Sequence, residues 1–163
     1  MTSRRPRRPR FALLLALGLM AGLGALPSRA PGQMMASAPA RQVTVFGVVA
    51  TPGAQGSDDP KLTQVLPQLR ELLPGHGFKL AKAESRRVAA GESIRCELGD
   101  GFVATSQLIS PMDPSGKVQL RFDLALNGVS QYQTIVTTPP NQVFYVNRVL
   151  PGGERLVIGI GAR

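Results

Sequence analysis

Catalysis and metal binding need particular side chains within reach of one another, and this sequence supplies few of them. It holds one His, one Cys and no Trp. His76 stands between two glycines in the run Pro74-Gly75-His76-Gly77. An imidazole works as a general base when a nucleophile or substrate lies within hydrogen-bond reach, usually with a carboxylate to orient it. A lone His between glycines reads instead as an exposed turn residue. Cys96 alternates with Ile94 and Leu98, the spacing of one strand face, and reads as a small buried hydrophobe. Asp58-Asp59 and Asp113 raise the question of calcium, yet no DxDxDG loop with a distal Glu surrounds them. Two acids directly before Pro60 are better explained as a helix cap. Gly159-Ile160-Gly161 ends a strand with no helix behind it, so it is not a phosphate cradle. No GxSxG, P-loop or HExxH sequence occurs. Arg86, Arg87 and Arg95 are interspersed with Glu84, Glu92 and Glu97 and read as a solvated face. With Tyr132, Tyr145 and six Phe, mostly in apolar runs, there is no stacking platform for nucleic acid. The expectation is a chain with no catalytic residues, no cofactor-binding residues, no metal ligands and no nucleic-acid partner.

The overall charge of +9 points elsewhere once its placement is followed. Arg4, Arg5, Arg7, Arg8, Arg10 and Arg29 all precede the first acid, Asp58. From Arg41 onward 13 basic residues face 10 acidic ones. Five of those early arginines precede an apolar run over residues 11–26, FALLLALGLMAGLGAL, and small residues follow it. A positive end, an apolar stretch and a small-residue region are the order of an export signal. The apolar run is shorter than the roughly 20 residues of a membrane span and is thinned by three glycines. Residues 1–40 are therefore read as signal peptide and linker, cut between Ala25 and Arg41, and residues 41–163 as a single exported β-rich domain. The paired arginines match a twin-arginine signal imperfectly, so standard export is the default. Cys96, the only Cys, lies far from the leader and offers no lipid-anchored N-terminal Cys. The chain is expected to be periplasmic or extracellular, with no stable membrane anchor after cleavage.

The elements that must position any site follow from hydrophobic period. Residues 42–49, QVTVFGVV, are apolar on both faces, as in a strand buried on both sides. Asp59 caps a helix that Pro60 opens, and Leu62, Val65, Leu66, Leu69, Leu72 and Leu73 form its apolar stripe. Pro67 removes one internal hydrogen bond and should kink or split it. Short strands are expected over residues 78–84, 86–90 and 93–98, then 102–110 after the turn Gly99-Asp100-Gly101. Residues 117–126 alternate without fault, with Val118, Leu120, Phe122, Leu124 and Leu126 inward. Asn127-Gly128 marks a hairpin. A three-residue loop sets Leu126 against Ser130, Leu124 against Tyr132 and Leu120 against Val136, a better apolar face than the two-residue alternative, so a bulged hairpin is expected. Strands over 142–149 and 155–160 close the chain. One helix does not cover so many strands, so the fold class is mainly β: an antiparallel sandwich or partly open barrel with one N-terminal amphipathic helix.

Residues 135–160, which include TTPPNQVFYVNRVLPGGERLVIGI, resemble the closing strands of secretins, the ring-forming outer-membrane export channels. The likeness lies in polar Thr-rich strands, a Gly-containing turn and a final apolar strand; Gly161-Ala162-Arg163 departs from the family's paired glycines. The whole chain also resembles small exported β-rich proteins of Gram-negative-type bacteria. Neither resemblance implies a functional residue.

Three functions follow from different classes. The first is a non-catalytic envelope or secreted protein that acts as a protein-interaction domain, its partner another envelope protein. The second is an accessory component of a secretion or assembly complex. The third is an exported enzyme of unknown type. An exposed sheet edge favours the first, and a deep pocket holding two carboxylates, or a Ser near His76, favours the third.

Overall fold

The computed structural model describes residues 39–163 apart from Ser57. The leader, its cleavage region between Ala25 and Arg41 and the arginine pairs lie outside the described residues, except that the first strand already begins at Ala40.

Among the described residues, eight strands make two antiparallel four-stranded sheets that do not close into a barrel, so the sandwich is the form adopted. They are β1 (Ala40–Pro52), β2 (His76–Ala89), β3 (Ser93–Gly99), β4 (Phe102–Ser110), β5 (Val118–Leu126), β6 (Val129–Thr138), β7 (Val143–Val149) and β8 (Arg155–Ala162). One sheet has the order β2-β1-β8-β7 and the other β3-β4-β5-β6. The second is a plain meander, each strand paired with its sequence neighbour. The first brings the two ends of the domain together, because β1 lies between β2 and β8.

Between the sheets lies the larger core. Val43 and Val45 of β1 and Leu156, Ile158 and Ile160 of β8 meet the inward residues of the meander there. Val118, Leu120, Phe122 and Leu124 are fully buried, as their alternation requires, while Leu126 is half-buried. Ile94, Cys96 and Leu98 also point into this core. A second, smaller core lies on the outer face of the first sheet, where Phe46, Val48, Phe78 and Val157 meet Leu62, Leu69 and Leu73. The middle of β1 is thus covered on both faces, which explains its apolar run over Val45–Ala50, while Gln42 and Thr44 are only partly buried. Two glycines allow the close packing. A Cβ on Gly47 would lie 2.7 Å from Leu98 Cδ2, and one on Gly159 would run into the Phe46 ring.

The helical segment is divided, one of the two outcomes expected of Pro67, and the departure from expectation lies in its apolar stripe. Pro67 splits it into a 3-10 helix, Pro60–Leu62, and α1, Leu66–Leu72. Proline has no N–H to continue the ladder and its ring crowds the carbonyl four residues back, so it stands in the first turn of the second piece. The break also turns the stripe. Leu62, Leu69 and Leu73 are buried, whereas Leu72 is 46% exposed.

Three further differences concern strands. Residues 78–84 and 86–90 are parts of one strand, β2, held in register along β1, with Ser85 opposite Thr44. Its irregularity falls between Leu80 and Lys82, opposite Gly47 and Val48. His76 and Gly77 belong to this strand, opposite Pro52 and Thr51, so the turn before it is narrower than Pro74-Gly75-His76-Gly77. At Asn127-Gly128 the loop has two residues, with Leu126 opposite Val129. Positive φ at Asn127 (51°) and Gly128 (82°) is the geometry of a tight primed turn. The extra residue is Gln131, inside β6, and it restores the expected pairing of Leu124 with Tyr132 and Leu120 with Val136.

Candidate functional site

Each residue singled out for chemistry has a local structural occupation. The ring of His76 is half-buried, and its Nδ1 donates to the Pro74 carbonyl at 3.1 Å. Asp59 accepts from the Lys61 amide at 2.9 Å and caps the 3-10 helix. Asp58 ties the helical segment to β2: Oδ2 accepts from Arg70 at 2.7 Å and Oδ1 from the Phe78 amide at 3.1 Å. Asp113 Oδ1 accepts from the Ser115 amide, the Ser115 hydroxyl and the Lys117 amide at 2.8, 2.7 and 2.9 Å. The Ser115 hydroxyl first, then these backbone donors, hold the Asp113 carboxyl below its ordinary pKa. Asp58, Asp59 and Asp113 therefore serve two separate turns, and no group of three or more His, Cys, Asp or Glu comes together among the described residues. Cys96 is fully buried, and burial pushes its thiol pKa up. Arg86 donates to the Ser93 carbonyl at 2.5 Å, joining β2 to β3, and Arg95 stands 3.8 Å from Glu97. Gly159 and Gly161 belong to the interior strand β8.

Two surfaces have the size and chemistry of a site. One is a groove of about 470 Å³ on the outer face of the first sheet. Its floor is a hydrogen-bonded trio in which the Gln42 amide donates to Ser85 Oγ and the Thr44 and Ser85 hydroxyls meet, both at 2.8 Å. Gln64 and Val65 form one wall and Asn141 and Gln142 the other. Past Asn141 and Gln142 a second hollow reaches Gln68, Glu71 and Tyr145. Tyr145 donates to Gln68 Oε1 at 2.7 Å and packs edge-on to Phe46, and burial pushes its phenol pKa up. Amides and hydroxyls of this kind hold a neutral polar ligand by donor and acceptor pairs. Ser85 has hydroxyl and amide neighbours where a nucleophile needs a base.

The other surface is the set of sheet edges, which sequence alone did not reveal because edges are a property of topology. The outer strands are β2 and β7 in one sheet and β3 and β6 in the other. An edge strand presents unpaired backbone groups that template pairing with another chain, and charged side chains normally guard it. β2 carries Lys79, Lys82, Glu84, Arg86 and Arg87, β3 carries Arg95 and Glu97, and β7 carries Arg148. β6, VSQYQTIVTT, carries no charge and no proline. Its described backbone hydrogen bonds to other elements all go to β5. Its inward side is closed by Arg148, whose guanidinium lies 4.9 Å from the Tyr132 ring centroid. Its solvent side shows Ile135, 59% exposed. Residues 135–160 comprise the end of β6 and most of the β7–β8 hairpin, and so divide between the two sheets.

Among the described residues no helix is long and apolar enough to cross a membrane. No family model, no curated protein and no solved structure matches this chain.

Proposed function

We propose that this chain is an exported, non-catalytic interaction domain of the cell envelope or the secreted fraction, and that it binds by strand addition along β6. The observation that carries the reading is the difference between the four edges: three are guarded by charge and β6 is not. In strand addition the backbone supplies affinity and alternate side chains supply selectivity. Here Gln133, Ile135 and Thr137 alternate on the solvent face, in register with Asp123, Arg121 and Gln119 of β5. Export is supported by the arginines ahead of the apolar run over residues 11–26.

The test compares the mature protein with Ile135→Lys and Gln133→Lys as bait for envelope extract. Both positions are exposed, so the new charge guards the edge and leaves the core intact. Proteins retained by the wild type and lost with both variants support strand addition; identical sets with all three baits exclude strand addition to another envelope protein. Mass spectrometry of the exported form should show an N-terminus between Ala25 and Arg41. A full-length mass in the inner-membrane fraction overturns cleavage.

A further inference from the structure

Among the described residues there are four sheet edges, and one of them carries no charge at all. When two copies join edge to edge about a two-fold axis, antiparallel strands set a central residue opposite its own copy and distribute the others symmetrically around it. Charges on such a strand are brought close to their own duplicates, and like charges placed opposite one another are destabilising. β2, with four cations and one anion, and β7, with Arg148, are poorly suited. On β3 an axis at Cys96 would set Arg95 opposite Glu97 of the other copy, so charge does not exclude it, but this strand is shorter and Arg86 of β2 already donates to its Ser93 carbonyl. β6 has nothing to repel.

The regular part of β6 has its own centre. The bulge at Gln131 lies near the hairpin turn, and from Tyr132 to Thr138 each residue is paired in sequence with β5. Ile135 is the middle residue of that run, and it carries the large apolar side chain most exposed there. An axis at Ile135 sets the two isoleucines side by side, Gln133 against Thr137 of the other copy and Tyr132 against Thr138. Every position is then filled by an uncharged residue, and the two Ile135 side chains cover each other. Behind them, Arg121 is in register with Ile135. The two Arg121 side chains would stand three strand spacings apart, about 14 Å, which exceeds the screening length of about 8 Å at physiological salt. From Arg41 onward the balance of 13 basic to 10 acidic residues leaves little net repulsion between copies.

We infer that residues 132–138 pair antiparallel with the same residues of a second copy about a two-fold axis at Ile135, joining two four-stranded sheets into one. This rests on the reading of β6 as the interaction edge and names its partner as the chain itself.

The mature protein provides a clean test because its one native thiol, Cys96, is buried. Ile135→Cys should give a covalent dimer under mild oxidation or with a short bis-maleimide, since directly opposed Cβ atoms lie about 4.5–5.5 Å apart. Arg95→Cys, on the exposed side of the β3 edge, should not. Wild-type protein should sediment as a concentration-dependent dimer. Ile135→Lys and Gln133→Lys should each weaken association ~10-fold or more, with circular dichroism unchanged. A wild type that sediments as a monomer at every concentration, with no Ile135→Cys cross-link, overturns self-pairing. In that event, an envelope protein captured by the wild type and lost with both lysine variants would leave the strand-addition reading standing. Capture insensitive to both would remove that reading as well.

Discussion

Single side chains carry three of the clearer physical statements. Ser106 is fully buried on the inward face of β4, and its hydroxyl has no hydrogen-bond partner among the described residues. An unpaired buried hydroxyl costs about 1–3 kcal/mol in lost hydration. Ser106→Ala should therefore leave stability unchanged or raise it by up to about 1 kcal/mol, as read from a urea midpoint at constant slope. A loss above about 1 kcal/mol would mean that the hydroxyl has a partner after all. Asp113 makes the opposite statement. Its folded-state pKa is depressed by the Ser115 hydroxyl and the neighbouring amides, so folding favours the ionised form. That contribution is complete above the ordinary value of 3.8 and is lost as the pH falls through the lowered folded value. Asp113→Ala should destabilise at neutral pH, and its gap from the wild type should close as the pH drops below 3.8. Denaturant titrations at neutral pH and at roughly pH 2.5 check both the sign and the window. The third is Cys96, which should resist thiol reagents until the chain unfolds, because only the exposed thiolate reacts. The burial of Cys96 was readable from its alternation with Ile94 and Leu98. The isolation of Ser106 was not, because alternation names a face and says nothing about hydrogen-bond partners across it.

Elements were legible where a period or a steric rule acted alone. Residues 117–126 could be read as a strand from alternation, residues 102–110 from the turn at Gly99-Asp100-Gly101, and the split at Pro67 from proline's missing donor. The exposure of Leu72 was hidden because a helical stripe assumes one continuous helix, and the break changes its phase. Ser85 suggested a strand end, but β1 templates β2 past it through the pairs Thr44–Ser85 and Val43–Arg86. The hairpin shows how a correct pairing hides a wrong loop. A three-residue loop and a two-residue turn followed by a bulge both set Leu124 opposite Tyr132. The preference of Asn-Gly for positive φ at both central positions decides between them. At φ 82° a β-branched side chain is strained, so Gly128→Val should cost about 1–2 kcal/mol or more. Leu124→Ala, fully buried, should cost about 2–5 kcal/mol. Asp123→Ala should cost under about 1 kcal/mol, because Asp123 faces outward and its contact is the Ser130 hydroxyl. The order of the three, measured by denaturant titration, tests turn and face together. An Asp123→Ala loss equal to that of Leu124→Ala would reverse the assignment of faces.

The molecule has two cores on opposite sides of one sheet, and β1 and β8 serve both. The sandwich class followed from many alternating strands with a single helical segment to cover them. Strand order did not, because the order β2-β1-β8-β7 needs a contact between the two ends of the domain that no local pattern encodes. The two cores are held unequally. Strands on both sides anchor the larger one, whereas the helical cover rests on a few leucines, the Asp58 bonds to Arg70 and the Phe78 amide, the Asp59 amide donating to the Phe78 carbonyl, and the Gln68–Tyr145 bond. A cover with so few ties should open locally before the sheets part. Native-state hydrogen exchange should then show the Leu69 and Leu73 amides, which bond to Val65 and Leu69 within the segment, exchanging at a lower free energy than those of Val45 and Ile158. Leu120→Ala removes methyl groups from the larger core and should lower global stability by about 2–5 kcal/mol, accelerating the slowest amides. Leu69→Ala should accelerate exchange in the helical segment far more than at Val45 and Ile158, because its cost is limited by the free energy of local opening. Equal acceleration at Leu69, Val45 and Ile158 in the Leu69→Ala variant would show instead that the cover and the sandwich unfold as one unit. In that case the outer groove, walled by Gln64 and Val65, would be as rigid as the sandwich beneath it.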